Sequence, residues 1–78
     1  MDKVKVRSII ETTLTSGNKI PGLFDLPKIL GIKNKLESCA SITEVIGILE
    51  ANRSLISKSF GLSEEIFNDG LVKLREFR

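Results

Sequence analysis

The chain has 78 residues, and twelve Lys and Arg against ten Asp and Glu leave a formal charge of only +2, with no histidine to change it near neutral pH. At 41% hydrophobic and 28% charged it has the composition of a soluble globular domain, not of a disordered segment. The absence of histidine and the single Cys39 exclude the usual zinc sets, Cys–His and Ser–His–Asp nucleophilic machinery, haem attachment and a two-cysteine redox motif. One cysteine makes no internal disulfide, so a reducing compartment is expected. No run approaches the roughly 18 apolar residues of a membrane span, and Met1–Lys5 does not lead into a secretory signal pattern. The expectation is a cytoplasmic protein with no membrane partner, and the glycosylation pattern Asn52-Arg53-Ser54 then has no meaning.

At 100° per residue, Val6, Ile9, Ile10 and Leu14 fall within an arc of about 140° with Thr13 among them, which predicts a first helix near 2–15. A strand competes over residues 3–7, where Val4 and Val6 alternate with basic residues. Residues 16–22 are dense in turn formers and must break the chain's direction. A second helix follows near 26–38 from the spacing of Leu26, Ile29, Leu30, Ile32 and Leu36, with Asp25 as its cap and Pro27 in its first turn. Gly31 in its middle costs about 1 kcal/mol relative to alanine, which leaves two short helices with a bend between them as the alternative.

Ser41-Ile42-Thr43-Glu44 has capping-box spacing. A third, central helix then runs from 42 to about 59 on the stripe Ile42, Val45, Ile46, Leu49, Arg53 and Ile56, with Ile48 and Leu55 on a neighbouring face. Gly61 ends it in the left-handed conformation with Leu62 just beyond, and Ser63 caps the last helix, whose first residues are Glu64 and Glu65. Ile66, Phe67, Leu71, Leu74 and Phe77 share one side of that helix, and Lys73, Arg75 and Arg78 suit its C-terminal end. Asn68-Asp69-Gly70 interrupts this pattern with a turn signal, which leaves a frayed or bent helix as the alternative to a continuous one.

The expected fold class is therefore all-α: one domain over residues 1–78, a small bundle of four short helices, or five if one divides. A chain this short buries only about 60% of its unfolded surface, so a partner or self-association is a natural supplement to its core. With no Trp or Tyr, Phe24, Phe60, Phe67 and Phe77 are the largest apolar side chains and are assigned to that core.

Two windows resemble a helix-turn-helix. In the first, Gly31 would be the turn, with Lys28, Lys33 and Lys35 for phosphates, but Pro27 stands where a small residue is wanted. The second, Ser57 to Ser63, has the small residue and the turn, but its reading helix carries Glu64, Glu65 and Asp69, which repel a polyanion. Residues 1–38 hold seven basic and four acidic groups, for +3, and residues 39–78 hold five and six, for −1. That is a weak bias beside the dense basic stripe of a nucleic-acid binder. DNA binding through Lys28, Lys33, Lys35 and Lys58 is thus the alternative reading.

The carboxylates sit at caps, helix starts and surface positions, no phosphate-binding loop is present, and the Asp-Ser-Leu that anchors a phosphopantetheine arm is absent. Neither an enzyme, a cofactor, a metal nor a small-molecule substrate is expected. The favoured reading is a small protein-interaction module or regulatory subunit whose partner is another protein or a second copy of itself. Val4, Ile48, Leu55 and Val72 lie off the core arcs and are the candidate contacts. Replacing Phe67 by alanine is expected to lower stability by about 3–5 kcal/mol in a denaturant titration; a melt within a degree or two of the parent would refute its place in the core.

Overall fold

The computed structural model describes residues 2–76, so the positions assigned above to Phe77 and Arg78 lie outside the described residues. These form five α-helices and no strand: α1 (Lys3–Thr15), α2 (Leu26–Glu37), α3 (Ile42–Ala51), α4 (Arg53–Phe60) and α5 (Glu64–Arg75). The alternation of valines at the start of α1 is overridden by a cap: the Asp2 carboxylate accepts the Lys5 amide at 3.2 Å, and residues 3–7 are helix.

The other caps follow their chemistry. Ser41 Oγ accepts the Glu44 amide at 3.3 Å, and the Glu44 carboxylate reaches back one residue further than in the simplest capping box, to the Ala40 amide at 2.9 Å. Ser63 Oγ accepts the Ile66 amide at 3.2 Å, with Glu64 and Glu65 at the positive end of α5 and Lys73 and Arg75 at its negative end. Gly61 is left-handed at φ 66, ψ 40, and the next amide, that of the buried Leu62, closes onto the Ser57 carbonyl at 2.9 Å.

Two expectations are corrected, at Asp25 and in the central helix, and the alternatives left open at Gly31 and Gly70 are decided. Asp25 makes no side-chain cap; its backbone is already helical and Pro27 supplies the start of α2. Gly31 lies inside an unbroken helix, so the first helix-turn-helix window contains no turn. The long central helix instead breaks at Asn52, whose side-chain amide bonds the Ile48 carbonyl at 2.8 Å while its backbone leaves helical geometry. Its own carbonyl then accepts the Ile56 amide, so the residue that ends α3 also begins α4. Gly70 does not bend α5, which runs uninterrupted through it.

The core is assembled around α3, where Ile42, Val45, Ile46 and Leu49 are all buried and Val45 is fully so. α2 packs on α3 through Ile32, α4 adds Ile56, and α5 adds Phe67, Leu71 and Leu74. The last two helices are joined across their faces: the Arg53 guanidinium lies 4.8 Å over the Phe67 ring and bonds the Asn68 side chain. α1 packs chiefly against α5, with Val6 buried.

That last contact explains Gly70. A Cβ there would lie 2.6 Å from Thr13 Oγ1 and 2.8 Å from its methyl, and Thr13 is held in place by a 2.8 Å bond from its hydroxyl to the Ile9 carbonyl. The glycine is an approach site for a neighbouring helix. Gly31, by contrast, has no neighbour within 4 Å. Gly31→Ala is therefore expected to stabilise by about 1 kcal/mol, raising Tm by about 4–8 °C. Gly70→Ala is expected to destabilise by about 1–3 kcal/mol; opposite signs in paired thermal melts check both.

Candidate functional site

Between α1 and α2 lies a ten-residue connection whose base is fixed to the far side of the molecule. A Cβ on Gly17 would overlap the Phe60 carbonyl oxygen, and the Lys19 amide donates to that same oxygen at 3.1 Å. Asn18 and Lys19 in turn press on Gly61, so residues 17–19 and the α4–α5 turn fit together through two glycines. At the other end the Asp25 and Leu26 amides both donate to the Gly22 carbonyl, at 3.1 and 2.9 Å, which forms the turn that leads into α2.

The tip held between these anchors is apolar and in water. Ile20 is 89% exposed, Leu23 88% and Phe24 92%. Phe24 is thus not a core ring, contrary to its assignment from composition. Leu26 and Leu30 on α2 are 44% and 49% exposed and carry the apolar surface onward from the tip.

A groove begins where the tip ends. Leu26, Ile29, Leu30, Lys33, Leu36 and Glu37 occupy an arc of about 120° on α2, bordered on the Leu36 side by the buried Ile32. Ile29, Lys33, Leu36 and Glu37 form one wall of a groove of about 460 Å³, and Val6, Ile10 and Leu14 with Lys3, Arg7 and Glu11 form the other. Its floor is aliphatic and its rim carries both signs of charge. The end away from the tip is bridged: Lys3 Nζ donates to the Glu37 carbonyl at 3.3 Å, and Arg7 and Glu37 form an ion pair at 3.4 Å. Both partners of that pair are about half exposed, so it contributes at most about 1 kcal/mol and positions more than it stabilises.

The residues singled out from the sequence are dispersed by the fold. Val4 is exposed near the start of α1 and Val72 half-exposed on α5, whereas Ile48 on α3 and Leu55 on α4 pack partly against the core. The basic residues divide as well. Lys33 lines the α1–α2 groove, Lys35 lines a cleft between α2 and α3, Lys28 is an exposed residue of the first turn of α2, and Lys58 is on α4. α4, Gly61 and α5 do have a helix–turn–helix outline, with Glu64 and Glu65 at the start of the would-be reading helix.

Cys39 is buried beside the α2–α3 cleft, with Sγ 3.3 Å from the Lys35 carbonyl. Burial, reinforced by the Glu44 carboxylate and opposed by Lys3, raises its thiol above the ordinary range, so it is a protonated structural residue at neutral pH. Among the described residues no group of three His, Cys, Asp or Glu side chains is placed to hold a metal ion. No helix among them is long and apolar enough to cross a membrane. No protein-family model, curated protein or solved structure matches the chain.

The tip residues were missed because turn formers on either side identified a loop, and loops are read as solvated. The available signal was the apolar density of Ile20-Pro21-Gly22-Leu23-Phe24 inside that loop. Phe24→Asp is expected to leave the thermal melt within about 0.5 kcal/mol of the parent, as for other surface substitutions. Gly17→Ala should lower stability by about 1–3 kcal/mol, because the Phe60 backbone must move; an equal loss for Phe24→Asp would show that the tip is packed, and no loss for Gly17→Ala that the clamp is absent.

Proposed function

We propose that this domain is a non-enzymatic protein-interaction module that docks another protein chain on the face formed by the α1–α2 tip and the adjoining groove. The observation that carries the reading is the near-complete exposure of Ile20, Leu23 and Phe24 on a loop anchored at both ends. Those three side chains alone present apolar surface on the order of 500 Å². Soluble monomers rarely leave a contiguous apolar patch larger than a few hundred Å² without a use for it. The tip's fixed base supports the same reading, since a segment already held in place loses less freedom on binding. An aliphatic floor with a charged rim also suits an amphipathic protein segment better than a small polar ligand.

Val4, Ile48, Leu55 and Val72 are then comparison positions; single exposed aliphatic residues are ordinary on any surface. Duplex DNA as the partner has less support, because Lys33 and Lys35 flank α2 on different sides and carboxylates crowd the start of α5.

Affinity capture from extracts of the source cells tests the proposal by comparing the parent with Phe24→Asp and Val72→Asp. A partner held by the parent and by Val72→Asp, but at least tenfold weaker on Phe24→Asp, is the expected pattern, a loss of about 1.4 kcal/mol or more. Loss confined to Val72→Asp, or salt-dependent binding of mixed duplex by the isolated protein, would move the function elsewhere.

A further inference from the structure

We infer that the occupant of the α1–α2 face is a second copy of this chain, each molecule seating its loop tip in the other's groove. The inference rests on the proposal that this face docks a protein, and adds which one.

The first argument is self-complementarity. One molecule carries both a protruding apolar tip, Leu23 and Phe24, and an open aliphatic groove of about 460 Å³, with room for both side chains. The exposed Leu26 and Leu30 make the two continuous on one side of α2. A two-fold axis beside such a face forms both tip-in-groove contacts at once and closes the assembly at a dimer. A tip and groove on opposite sides of the molecule would instead propagate into a filament.

The second argument is area. A compact monomer of 8.6 kDa is expected to expose about 4,700 Å², and this chain exposes 5170 Å². A standard interface takes about 800 Å² from each partner. Ile20, Leu23, Phe24, Leu26 and Leu30 present on the order of 600 Å² of it, and the groove walls supply the remainder.

The third argument is charge. The groove rim holds Lys3, Arg7 and Lys33 together with Glu11 and Glu37. The tip that would enter it is flanked by Lys19 and Asp25, one of each sign, so a rim of mixed sign accepts a second copy's tip where a rim of one sign would repel one of its flanks. An anionic bilayer or a nucleic acid would have to accept Glu11 and Glu37 facing it.

Sedimentation velocity of the full chain from about 1 to 500 μM tests the proposal, since a modest interface of this size dissociates in that range. The expected result is a concentration-dependent dimer that Phe24→Asp weakens at least tenfold while circular dichroism and Tm stay unchanged. With a benzophenone amino acid in place of Phe24, photocrosslinks should land on residues 10–14 or 29–36 of the other molecule. A monomer throughout the range, a dimer indifferent to Phe24→Asp, or crosslinks outside the groove would overturn it. So would a monomer that pellets with phosphatidylcholine–phosphatidylserine vesicles in a Phe24-dependent way, which assigns the tip to lipid. If the chain is monomeric and the Phe24-dependent capture above still holds, the docking face stands and only the second copy falls. If Phe24→Asp changes neither experiment, both fall.

Discussion

The arrangement depends on how closely α1 approaches α5. Thr13 and Gly70 meet at a distance that no side chain on residue 70 would allow, and that contact commits the buried side of α1 to the last helix of the chain. Its sequence neighbour α2 is committed elsewhere, through Ile32 to α3. Two helices consecutive in sequence are thereby held apart, and the space between them becomes a groove walled by aliphatic residues of both. The long connection is a consequence of the same separation: helices packed side by side need only a few linking residues, whereas these are joined by ten.

Local signals in the sequence were legible wherever the physics was local. Ser41 and Ser63 are caps because their oxygens satisfy amides three residues on, and Gly61 is left-handed because a helix ends there. The stripe from Ile42 through Leu49 to Ile56 is buried as its spacing implies, even though the helix carrying it breaks. That break was hidden because Asn52 is an acceptable helix residue until its side chain takes the Ile48 carbonyl.

What the sequence hid is allocation. Hydrophobicity states that Phe24, Leu26 and Leu30 are favoured out of water, not which surface takes them, and within one chain Phe24 finds none while Leu26 and Leu30 are only half covered. Gly70 stayed ambiguous for the related reason that a glycine needed by a neighbouring helix looks like one needed by a turn. The basic residues illustrate the converse. Lys28, Lys33 and Lys35 are close in sequence, yet helical geometry turns Lys33 about 140–160° away from the other two, toward the α1–α2 groove, so proximity along the chain does not make one patch. The candidate surface is thus a tertiary property, visible only once the other faces of α1 and α2 are occupied.

The clasp between residues 17–19 and the turn at 60–61 joins segments some forty residues apart. The tip is therefore displayed in its present posture only when the second half of the chain has folded against the first. A partly synthesised or partly unfolded molecule would hold the same greasy side chains without the frame that aims them. A finished molecule therefore holds this apolar segment in one shape, and an unfinished one holds it only as a sticky thread.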